Sequence, residues 1–110
     1  MPTGTFKALD QTKRPHEFAL IEALRSAGII ATPCPKRLLA WFELDNFSQS
    51  AMEQAMVNAN WVKQTGIDYP DKSEGGVHLF YIEANIEEDC FAVIAYDPVS
   101  GEADIDFSGY

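Results

Sequence analysis

The chain has 110 residues, 46% hydrophobic and 12% aromatic, which excludes a disordered polar chain and suffices for a domain with its own core. Its net charge of −9 is unevenly placed: residues 1–40 hold six Lys or Arg against three acids, residues 41–110 two against fourteen. That surface argues against direct nucleic-acid binding, and no apolar run approaches the ~20 residues needed to span a membrane.

In chain order, residues 1–13 mix Gly, Pro, Thr and charge and are expected as an irregular arm of a single compact domain over 1–110. The opening lacks the apolar stretch and small-residue cleavage site of a signal peptide, so a cytoplasmic protein is expected. A first helix is expected from Arg14 or Pro15, with Thr12 or a neighbour as cap and Glu17 in the first turn. Leu20, Ile21, Leu24 and Ala27 form its apolar stripe, and Gly28 stops it.

Residues 29–32 read as a short strand, broken by Pro33-Cys34-Pro35, a rigid link between strands. Residues 37–44 are the next strand, with Phe42 and Leu44 on one face, Trp41 and Glu43 on the other, and Trp41 expected in the core. Ser50 and Glu53 fit a capping box opening a second helix that runs to about residue 65. Its buried stripe is Met52, Ala55, Met56, Ala59 and Val62; Trp61 lies off it, laid across a loop or offered to a partner. Residues 67–75 have the composition of a loop with Tyr69 at its exposed tip.

The last third reads as a three-stranded antiparallel meander. Residues 77–84 and 90–96 are apolar on both alternating sets, as in strands covered on both faces. Asp97-Pro98-Val99-Ser100-Gly101 is a turn. Residues 102–107 then alternate, with Ala103, Ile105 and Phe107 facing a core and Glu102, Asp104 and Asp106 facing water. The expected fold is α+β: a mostly antiparallel sheet of four to five strands with two helices on one face, in the order α-β-β-α-β-β-β.

No motif identifies catalysis. Cys34 and Cys90 lie 56 positions apart, at no metal or redox spacing, and are expected as reduced thiols. Gly75-Gly76 precedes a strand rather than a helix and makes no phosphate loop. No catalytic residue, metal ligand or cofactor is therefore assigned. What stands out is charge: from residue 83 onward there are eight acids and no Lys or Arg. One explanation is a solvated edge strand guarded against aggregation.

The other explanation is a surface for positive charge, formed by Glu87, Glu88, Asp89, Asp97, Glu102, Asp104 and Asp106, with Trp61, Tyr69 or Tyr110 supplying affinity. The expected function is then a small, non-enzymatic acidic protein that mimics a nucleic acid's charge. It would dock on the basic, nucleic-acid-handling surface of another protein and inhibit it, by analogy with immunity proteins, antitoxins and phage inhibitors of host defence. Two alternatives stay open: a small enzyme or ligand-binding domain with a cleft near Cys34, His78 and Glu83, and a homodimeric structural module.

Overall fold

The computed structural model describes residues 14–34, 41–86 and 90–107. The expectations for the N-terminal arm, for residues 37–40 of the second strand and for Glu87, Glu88, Asp89 and Tyr110 lie outside the described residues.

Helix α1 spans Pro15–Ser26, with Pro15 at its first position, where a missing N–H costs nothing. Arg14 is the N-cap and contributes no side-chain cap bond. The helix closes as Gly28 predicts. The Ile29 N–H donates to the Leu24 carbonyl at 3.0 Å and the Gly28 N–H to the Arg25 carbonyl at 3.1 Å. This paired closure needs the φ of +96° that Gly28 adopts without a Cβ clash. It delivers Ile29, 1% exposed, into the core.

Strand β1, Ile30–Pro33, pairs antiparallel with β2, Trp41–Asp45. Pro33 does not break β1 as the sequence suggests; it ends the strand opposite Phe42. An edge strand tolerates it, and among the described residues no strand pairs with the outer side of β1. Arg25 covers part of that edge, donating from Nη2 to the Ala31 carbonyl at 2.8 Å.

Helix α2 spans Gln49–Ala59, and its N-cap is Ser48, not Ser50: the Ser48 hydroxyl accepts from the Ala51 N–H at 3.2 Å. The helix is also shorter than the apolar stripe predicts. Asn60 turns left-handed at φ +61°, a conformation asparagine tolerates, and Asn85 bonds to both its side chain and its carbonyl. Residues 61 onward therefore leave the helix. Trp61–Lys63 form β3 and Asp71–Lys72 form β4, two short strands the sequence reading assigned to helix and loop.

Strands β5, His78–Ala84, β6, Phe91–Tyr96, and β7, Ala103–Asp106, make the expected meander. The sheet order is β1-β2-β7-β6-β5-β3, with β4 pairing the other end of the same β5 edge, and every pairing is antiparallel. The fold is thus α+β, with more strands than the four or five expected. Strand β7 is not an edge: it lies between β2 and β6. Protection of an exposed edge does not explain its acids.

Both helices pack on one face of the sheet. Leu20, Ile21 and Leu24 of α1 and Met52, Ala55 and Met56 of α2 share a core with Phe42, Leu44, Phe80, Ile82, Ile94 and Ile105. Ile94 lies opposite both Phe80 and Ile105, and Ile105 opposite Phe42, so a row of large apolar side chains crosses four strands. Each contributes about 1.5–3 kcal/mol by burial. Trp61 completes this core.

Candidate functional site

The opposite face of the sheet carries no helix among the described residues. Because side chains alternate, the register fixes what stands there. Glu43 of β2 lies directly opposite Asp104 of β7, and Trp41 opposite Asp106. Asp45 and Glu102 continue the two strands on the same face. Trp41, Glu43, Asp45, Glu102 and Asp104 line one shallow depression of about 290 Å³. Glu43, Asp45 and Glu102 are exposed, whereas Asp104 and Asp106 are half-buried and each is engaged within the chain.

The neighbouring strands have a different character on this face. Asp106 lies opposite Val93, and Asp104 opposite Ala95; these in turn lie opposite Tyr81 and Leu79 of β5. With Phe91 and Val77 they form an apolar strip of half-buried side chains beside the carboxylates. A second depression, of about 210 Å³, joins the two zones: Val77 and Ala95 on one side, Asp97, Glu102 and Asp104 on the other.

The structure sorts the residues singled out from sequence. Glu102, Asp104 and Asp106 lie on this open face as expected. Asp97 lines the second depression and also closes the hairpin: its carboxylate accepts from the Val99 N–H at 2.9 Å. That bond, opposed in part by desolvation and helped by Ser100, holds its pKa below the usual aspartate value. Its charge thus has a local structural task.

Trp61 is 2% exposed, donates Nε1–H to the His16 carbonyl at 3.0 Å and packs edge-on to Phe107. It is a core residue on a strand, so its placement on the second helix, and the reading that offers it to a partner rather than to packing, are corrected. Tyr69 is not at an exposed tip either. Its ring meets Phe80 edge-on at 5.1 Å, and its hydroxyl lies 3.6 Å from Met56 Sδ. Burial, and then the nearby Glu53 carboxylate, raise its pKa well above the ordinary tyrosine value. Trp41, conversely, leaves the core expected for it and stands half-buried on the open face.

Sequence reasoning missed Glu43, Asp45 and Trp41 as members of this surface. The alternation in WFELD already set them on one side; the β2–β7 pairing that joins them to the C-terminal acids is non-local and leaves no local signal.

Cys34, His78 and Glu83 are not brought together. His78 faces Tyr96 on the helix-covered side, while Glu83, five residues along the same strand, faces the open side. Cys34 follows β1, four positions across the sheet from β5, or roughly 19 Å at the usual strand spacing. Among the described residues no group of three or more His, Cys, Asp or Glu side chains is placed to hold a metal ion. No helix among them is long and apolar enough to cross a membrane. No protein-family model, curated protein or solved structure matches this chain.

Proposed function

We propose that the protein is a small, non-enzymatic acidic inhibitor that docks on a basic surface of another protein, a surface that handles nucleic acid. One observation carries this: the antiparallel β2–β7 register, which sets Glu43 against Asp104 on an open sheet face with Asp45 and Glu102 beside them. Like charges directly opposite one another on a sheet are unfavourable by about 0.2–1 kcal/mol. No helix among the described residues packs on this face, and three of its carboxylates, Glu43, Asp45 and Glu102, are exposed and so able to meet a cationic partner. Spread over two strands and too dispersed to chelate an ion, the carboxylates suit several separate Lys and Arg side chains rather than one metal.

Electrostatic attraction of this kind accelerates encounter and fades with salt. The test is capture from cell extract by immobilised protein at low and high salt, beside the charge-reversed variant Glu43→Lys/Glu102→Lys. A basic partner held at low salt, released by high salt and lost with the variant is expected, and its nucleic-acid binding falls as the inhibitor is added. Absence of any basic partner at low salt, or capture indifferent to the reversal, refutes the proposal.

A further inference from the structure

We infer that the partner engages this face with a basic amphipathic helix, its apolar stripe lying along β5–β6 and its Lys and Arg side chains reaching over β7 and β2. The inference rests on the docking reading above and specifies the occupant. It starts from a departure from pattern: an antiparallel sheet with one side facing water ordinarily turns polar residues outward there, and among the described residues no helix covers this side. Here β5 and β6 turn out Leu79, Tyr81, Phe91, Val93 and Ala95. Strands apolar on both sides are strands built for a layer on each side.

The dimensions select the layer. Two adjacent strands make a strip about 10 Å wide, and the apolar positions run for about 15–20 Å along it. That is the footprint of an α-helix about 10 Å across and some three turns long, whose own backbone bonds are satisfied before it docks. A helix seated there has one flank over β7 and β2, where the exposed carboxylates of Glu43, Asp45 and Glu102 stand. Lys and Arg stems lie along apolar surface while their heads reach outward to such groups.

Charge decides against a second copy as the occupant. Residues 41–110, which supply most of the sheet, hold two cations against fourteen acids. A facing copy would bring carboxylates under a sheet with little to neutralise them, at a large desolvation cost.

The test uses the full chain and three labelled synthetic peptides of equal length: a helix-forming peptide with a Leu stripe flanked by Lys, a scramble of the same composition without a stripe, and a version with Glu for Lys. Trp41, at the junction of the strips, reports binding by its fluorescence. The striped Lys peptide is expected to bind at least about tenfold tighter than its scramble, as burial of two or three apolar side chains would give. Leu79→Asn and Val93→Asn, each checked for folding by circular dichroism, are expected to erase that advantage. Glu43→Gln/Glu102→Gln is expected to weaken both Lys peptides together.

Equal binding of the striped and scrambled Lys peptides would overturn the helix while leaving the docking reading intact. Failure of both Lys peptides to bind at low salt would sink both. A dimer in solution that Leu79→Asn dissociates would assign the apolar strip to a second copy and overturn the inference.

Discussion

Leu79 and Phe80 are adjacent in β5, yet they belong to different regions of the molecule. Phe80 points under the helices, is fully buried and meets Phe47 and Tyr69 ring to ring. Leu79 points to the open face, where Ala95 and Asp71 are its cross-strand neighbours. The same contrast recurs one strand at a time: Ile94 against Ala95, Ile105 against Asp104. One face of the sheet is composed for stability. On the other no helix packs among the described residues, and its departures from an ordinary polar surface are the ground of the docking proposal.

The contrast breaks if the two faces prove energetically alike. Phe80→Ala removes a large side chain from a closed core and should cost about 3–5 kcal/mol, read as a lower denaturant midpoint. Leu79→Ala, one residue away, should cost about 1 kcal/mol or less, because its site is already half open. Similar losses at the two positions would mean that the open face is covered in the free protein.

Trp61→Phe comes next. It keeps an aromatic ring in the core but removes the donor to the His16 carbonyl, and should cost about 1–3 kcal/mol in the same measurement. Restoring no stability with a helix-favouring Trp61→Leu would confirm that position 61 is a core strand site. On an exposed helix, by contrast, that change would be neutral or better.

These sites also mark where the sequence is readable and where it is not. Local signals sufficed for Gly28, whose positive φ ends α1, and for the Asp97–Gly101 turn, where carboxylate and glycine act within a few residues. The alternation of β7 gave its two faces directly. At Asn60 local reasoning failed, because apolar residues keep helical spacing to Val62 while pairing of Trp61 with Ala84 draws the chain away. Likewise, nothing near Glu43 announces Asp104. The candidate surface was therefore half visible: its C-terminal acids from composition, its β2 members only from the register.

On the open face the sign reverses. Glu43→Gln relieves the like-charge pairing with Asp104 and should leave stability unchanged or raise it by a few tenths of a kcal/mol. Binding to a basic partner should nevertheless weaken. A variant that is more stable and less active separates the two faces more sharply than any loss of both.

One effect appears only in alkali. Tyr69 was expected in water at a loop tip, and instead lies against Phe80 beside Glu53. Its folded-state pKa is raised, so its contribution to stability is complete below the unfolded value of about 10 and is lost as pH rises beyond it. Tyr69→Phe removes the ionisable hydroxyl. The stability difference between wild type and variant should therefore hold steady up to about pH 9 and shift against the wild type toward about pH 11. A difference independent of pH would place the hydroxyl in solvent. The loop carrying Tyr69 would then lie off the helix-covered side, and the closed face would be smaller than the open one requires.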